Sequence, residues 1–191
     1  GHWAAKQIER LVDSGYVKGY SDNTFKPNQS VTRAEFFCLL VQAQGTIPSA
    51  ASTNSFSDTV KHWASAYIEQ AVRSGILLPA EYPNGLKPDR PILRSEVAAA
   101  IIRALGMGPS AGSVTFPDKD KVEQSDYKGF IKTAYDVGLM TGFETGEFKP
   151  FDPFTRAQAC ALLCLFLDKK DSQQLETPPT NQSGITIDPE K

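Results

Sequence analysis

The chain has 191 residues, 40% of them apolar and 22% charged, with a formal net charge of −2. That length suits one domain of ordinary size or two small ones, and the apolar share is enough for a packed core. The small net charge and the lack of a basic stripe argue against nucleic acid, and no apolar run approaches the ~20 residues that span a membrane. The first predicted element is a helix at the start of the chain. Ile8, Leu11 and Val12 share one helical face and run into Gly15, where a left-handed residue is expected to end the helix. A turn-rich stretch follows, Lys18-Gly19-Tyr20-Ser21-Asp22-Asn23, closed by Phe25-Lys26-Pro27. The second helix opens with a capping box, in which Thr32 accepts from the Glu35 amide and Glu35 reaches back. It is apolar on most faces (Phe36, Phe37, Leu39, Leu40, Val41), which predicts a central position.

After a small, polar linker at 45–55 the same plan returns, and after a second linker at 106–115 it returns again. His2-Trp3-Ala4 recurs as His62-Trp63-Ala64, and Phe56-Ser57-Asp58 as Phe116-Pro117-Asp118. Gly15, Gly75 and Gly138 hold one position, and Phe25-Lys26-Pro27 matches Leu86-Lys87-Pro88 and Phe148-Lys149-Pro150. Thr32-Arg33-Ala34-Glu35 matches Leu93-Arg94-Ser95-Glu96 and Thr155-Arg156-Ala157-Gln158, at a period of about 60 residues. We therefore read a mainly α fold of three helix-loop-helix repeats, with the second helices together at the core and the first helices outside. The expected divisions are 1–45 (a repeat truncated at its N-terminus), 56–107, 116–168, and a flexible tail at 169–191. Gly1-His2-Trp3 opens inside a repeat without a secretion signal, so a segment of a longer, processed chain is expected.

Little here suggests catalysis. Cys38, Cys160 and Cys164 lie in apolar helical runs and read as buried thiols. No Cys or His pair has zinc spacing, and no nucleophile sits in a recognisable motif. The expectation is a non-enzymatic chain with no catalytic residue, metal site or cofactor. The informative residues are Arg33, Arg94 and Arg156, each directly after the cap position. A cation there opposes the helix dipole by up to about 1 kcal/mol, so its recurrence calls for a reason. One reading is an anion site, a guanidinium fork beside unpaired amides at a helix N-terminus. The other is structural, each arginine binding an acid of the neighbouring repeat such as Asp58 or Asp118. Chemistry alone leaves both open, and both hold if the pair lines a groove. Aromatic residues raise the same choice. Trp3 and Trp63 start the first helices, and Tyr20 and Phe143 follow loop glycines. Each can offer a flat face to a sugar ring or anchor a helix.

Taken together, Phe56-x-Asp58, His62-Trp63-Ala64, Gly75, Lys87-Pro88, Arg94-x-Glu96 and above all Thr32-Arg33-Ala34-Glu35 resemble the S-layer homology family over about residues 1–168. The resemblance implies a pseudo-threefold, spindle-like bundle of mostly helices. It implies an extracellular module that anchors proteins non-covalently to the bacterial cell wall. The usual ligand of the family is a secondary cell-wall polysaccharide carrying pyruvylated N-acetylmannosamine, bound in grooves between repeats; some members bind peptidoglycan-linked components. The implied ligand residues are Arg33, Arg94 and Arg156, Trp3 and Trp63, Asp58 and Asp118, with Tyr20, Glu35 and Glu96 beside them. Neither nucleic acid nor membrane insertion is implied. Repeat two replaces the capping threonine by Leu93, and repeat three has Asp126 at the tryptophan position with Tyr127 adjacent. A groove using Trp63 and Asp58 is thus expected to bind best and one depending on Asp126 least. The alternative is a helical-repeat module of the cell envelope that binds another protein.

Overall fold

The structure, a computed structural model, describes residues 1–49 and 54–176, with side chains through 173. Among these residues the elements are α1 (Ala5–Asp13), α2 (Arg33–Ala43), α3 (Ser65–Arg73), α4 (Arg94–Ala104), α5 (Lys119–Glu123), α6 (Lys128–Asp136) and α7 (Arg156–Glu176). The described residues form no strand beyond three isolated bridges. None of their helices is long and apolar enough to cross a membrane. The fold is mainly α, with the three repeats read from the sequence.

Local chemistry sets the helix ends. Gly15, Gly75 and Gly138 take φ of 76, 69 and 75°. This turns the chain so that the amides of Tyr16, Ile76 and Leu139 reach back to Leu11, Ala71 and Ala134, each at 2.9 Å. Helix α2 begins with a complete capping box, Glu35 N donating to Thr32 Oγ1 at 3.2 Å and Thr32 N to Glu35 Oε2 at 2.7 Å. In α7, Thr155 and Gln158 make the same pair at 3.3 and 3.0 Å. Helix α4 keeps only half of it, Leu93 N donating to Glu96 Oε2 at 2.8 Å, because leucine has no oxygen to offer.

The repeats close on one another. Each second helix packs on the first helix of the next repeat: α2 on α3, α4 on α6, and α7 back on α1. At the pseudo-threefold axis, Val31 N donates to Phe154 O, Phe154 N to Ile92 O, and Ile92 N to Val31 O, at 2.9, 2.9 and 3.0 Å. Those three side chains are buried, and Phe36, Phe37, Phe148 and Phe166 fill the core around them. Such a ring has no repeat that could fold its apolar face alone.

One expectation changes. The stretch from Lys169, read as the start of a flexible tail, continues α7 as far as Glu176. Its docking explains why: Lys170 Nζ donates to the carbonyls of Ala43 and Gln44 at 3.2 and 2.9 Å, occupying acceptors that the end of α2 leaves open. The rest of the predicted tail, and residues 50–53 of the first linker, lie outside the described residues.

Candidate ligand-binding grooves between repeats

The motif arginines all sit at junctions between repeats, but not beside open amides. The amides of Arg33 and Ala34 donate to Arg90 and Pro88. Those of Arg94 and Ser95 donate to Asp152 and Pro150, and those of Arg156 and Ala157 to Gln29 and Pro27, all between 2.9 and 3.0 Å. The unpaired helix N-terminus expected from the sequence is therefore absent here, because carbonyls of the adjoining loop take its donors. Lys26, Lys87 and Lys149 adopt φ of 53, 53 and 58° just before the prolines, which lets the corner turn toward its neighbour. Each arginine side chain grips the same corner: Arg33 Nη1 bonds Leu86 O at 2.7 Å, Arg94 Nε bonds Phe148 O at 2.8 Å, and Arg156 Nε bonds Phe25 O at 2.9 Å. Each guanidinium also lies over one loop aromatic, Tyr82, Phe143 or Tyr20, at 5.0, 4.4 and 4.9 Å.

What differs is the rest of each junction. Arg94 borders a groove of about 590 Å³ running from Trp3 past Phe143 to Gln158, Leu162 and Leu165. The residue is 6% exposed, and its guanidinium also faces Phe148 and Phe154. Beyond Nε, the guanidinium meets no hydrogen-bond acceptor among the described residues. Burial pulls its pKa down to about 10, against the opposing pull of Asp152 and Asp118, so it is still a cation at neutral pH. Trp3 stands at the mouth, 64% exposed. Lys149 adds a second cation, with Glu147 at 3.4 Å, and Glu144 is an exposed acid on the rim.

Arg156 borders a smaller groove, about 160 Å³, with Trp63, Glu35, Cys38 and Gln42. Its Nη2 donates to Lys18 O at 3.0 Å. The Cys38 thiol there is pushed up to about 11 by burial and then by Glu35, so it is no ready nucleophile. At the third junction, Arg33 pairs with Glu96, Nε and Nη2 reaching Oε1 at 3.0 and 2.8 Å with both side chains largely buried. Tyr82 Oη donates to the same oxygen at 2.9 Å, and Tyr127 Oη donates to Glu81, which also accepts from Arg103. Burial raises both phenols above their usual range, keeping them protonated donors.

Three segments of this chain, residues 1–37, 55–98 and 115–160, match the family model of the S-layer homology domain. The chain belongs to the S-layer homology family. It is 30% identical over 175 residues to an amylopullulanase of Thermoanaerobacterium thermosulfurigenes, covering 88% of this chain and 9% of that protein. It is 36% identical over 118 residues to a cellulosome-anchoring protein of Acetivibrio thermocellus, covering 59% and 26%. It is 25% identical over 175 residues to the S-layer protein sap of Bacillus anthracis, covering 90% and 20%. The chain thus spans about a quarter or less of these relatives, and enzyme-named ones match through a small part of their length. Membership makes it a module of cell-wall attachment at the cell surface.

The sequence-derived site residues distribute unevenly over this S-layer homology module. Trp3 and Arg94 share the large groove; Trp63, Arg156 and Glu35 share the small one, with Tyr20 under Arg156 and under Lys26 at 4.3 Å. Arg33 and Glu96 bind each other. Asp58 and Asp118 lie apart from the arginines. Asp58 accepts from the amides of Leu86 and Lys87 at 3.2 and 2.7 Å, and Asp118 from Phe148 and Lys149 at 2.8 Å each. They hold the corner whose carbonyl the arginine grips from the other side. Asp58 is therefore not brought beside Trp63 in one groove. Sequence reasoning missed Tyr82, the counterpart of Tyr20 and Phe143, and the group Glu81, Arg103 and Tyr127. Tyr127 carried a visible signal, since it stands where the other repeats have Ala4 and Ala64.

Proposed function

We propose that this module anchors its parent protein to the bacterial cell wall by holding an anionic, pyruvylated secondary cell-wall polysaccharide, chiefly in the groove between Trp3 and Arg94. One observation carries the reading: Arg94 is a buried cation with no carboxylate partner among the described residues, on the wall of the groove of about 590 Å³ that an exposed tryptophan also lines. Burying an unpaired charge is costly, and a ligand carboxylate relieves that cost with charge-assisted hydrogen bonds worth about 1.5–3 kcal/mol. The sugar ring stacks on Trp3, and the apolar wall of Leu162 and Leu165 takes the methyl groups of a pyruvyl ketal or an acetamide.

The Arg156 groove with Trp63 is a second, weaker site, since the acid Glu35 lines it together with the arginine. The Arg33 junction is structural. Two sites on one polymer raise the avidity above that of either. The test is co-sedimentation with purified cell walls before and after mild acid removal of pyruvate. The parent should bind the former at least about tenfold more tightly than the latter, and Arg94→Ala should lose that difference. Equal binding of Arg94→Ala and parent to pyruvylated walls would overturn the assignment.

A further inference from the structure

Two residues after each arginine the second helices carry Glu35, Glu96 and Gln158. The ring closure sets each of these at the junction that holds the arginine of the preceding repeat: Glu96 pairs with Arg33, Gln158 lines the groove that Arg94 lines, and Glu35 lines the groove that Arg156 lines. The Arg33 junction shows what an acid does in this place. One Glu96 oxygen accepts from Leu93 N, the half of the capping box that α4 keeps, and the other takes two nitrogens of the arginine. The cation is then neutralised from within the protein.

Gln158 has a single oxygen, and it is already committed to Thr155 N at 3.0 Å. What remains is an amide NH₂, a donor with no acceptor among the described residues. Opposite Arg94 the chain therefore offers a second donor where its other two repeats offer an anion. Asp118, one of the two acids whose charge acts on Arg94, has both oxygens on the backbone amides of Phe148 and Lys149, and the other, Asp152, makes no ion pair with it among the described residues. Glu144 stands exposed at the rim.

We propose that Gln158 is the specificity-determining residue that makes the Arg94 groove, alone of the three, selective for a carboxylate. The ligand carboxylate spans the Arg94 guanidinium and the Gln158 amide, completing from outside the pair that Glu96 completes from inside at Arg33. This rests on the function proposed above and adds that one atom, oxygen or nitrogen at the end of residue 158, decides the charge of the sugar accepted.

The experiment compares a pyruvylated methyl glycoside of N-acetylmannosamine with its uncharged parent glycoside, by calorimetric titration of the whole chain. In Gln158→Glu the carboxylate closes on Arg94. Affinity for the pyruvylated glycoside should fall about tenfold or more while the uncharged one changes little, and the melting temperature should hold or rise. In Glu35→Gln the Arg156 groove should gain preference for the pyruvylated glycoside. If Gln158→Glu retains the parent's preference while Arg94→Ala loses it, Gln158 is not the selector and the proposal falls, although the wall-binding reading stands. Equal loss of both glycosides in Gln158→Glu also overturns it, since the residue would then act through shape. If Arg94→Ala keeps the preference as well, both readings fall together.

Discussion

The Arg94 groove and the Arg33 junction are made of the same parts, and one is open while the other is filled. In each, an arginine at a helix start grips a carbonyl of the next repeat and lies on an aromatic ring. The groove at Arg94 is lined by Trp3, Gln158 and Leu165; their sequence counterparts at Arg33 are Asp126, Glu96 and Arg103, with Tyr127 where the other repeats have Ala4 and Ala64. A loop one residue longer in repeat two also brings Glu81 to Arg103 and Tyr127. The lesson is that pseudo-symmetry conserves the frame and the structural half of the arginine's task. Whether a ligand is admitted depends on a few side chains, supplied by the two repeats that flank the arginine's own.

The largest effect should separate the two arginines by stability. Arg33→Ala leaves Glu96 buried without a cation, a loss of about 3–5 kcal/mol, or on the order of 10 °C in thermal unfolding. Arg94→Ala removes a buried charge that no carboxylate balances, so it should cost only about 1 kcal/mol. Circular dichroism melts of both variants check this. Equal losses would mean that the two junctions are energetically alike and that the open groove is no weaker a structural contact than the closed one.

The next effect asks whether bulk or charge closes the Arg33 junction. Tyr127→Ala restores the small residue found at Ala4 and Ala64 and should cost roughly 2 kcal/mol through lost packing and the lost bond to Glu81. It should open a cavity yet confer no binding of a pyruvylated glycoside there, because Glu96 still neutralises Arg33. Measured in a background that carries both Arg94→Ala and Arg156→Ala, affinity should appear only when Glu96→Gln is added. Binding by Tyr127→Ala without that second change would show that bulk alone had kept the ligand out.

These contrasts also mark how far the sequence could be read. Helix periods, the glycines at 15, 75 and 138 and the capping pairs Thr32–Glu35 and Thr155–Gln158 are local, and local physics places them. The repeated arginines were visible as well, together with both of their possible roles. What no single repeat contains is its neighbour across the junction. Arg33 meets Glu96 and Leu86, and Arg94 meets Phe148 and shares a groove with Gln158, over separations that only ring closure brings together. Hence the first-turn amides looked free when Pro88, Pro150 and Pro27 in fact accept from them. Likewise nothing in one repeat shows that Asp58 and Asp118 accept from the corner amides of Leu86 and Lys87, and of Phe148 and Lys149. Gln158 was legible only as a cap, because its difference from Glu96 acquires meaning from the arginine it faces.

The smallest effect concerns salt, and it separates the junctions by their exposure to solvent. A carboxylate entering the Arg94 groove from water exchanges screened for partly screened interactions, and the mouth near Lys149 and Trp3 remains open. Raising ionic strength from about 0.05 to 1 M shortens the Debye length from over 10 Å to about 3 Å, so affinity for the pyruvylated glycoside should drop a few-fold. The Arg33–Glu96 pair lies out of that field, with Glu96 showing only 5% of its side chain. The difference in melting temperature between the parent and Arg33→Ala should therefore stay the same at both salt concentrations. If that difference shrank with salt as much as the affinity did, Glu96 would be a solvated rim charge. The division between a filled junction and an open groove would then fail on physical grounds, whatever their shapes.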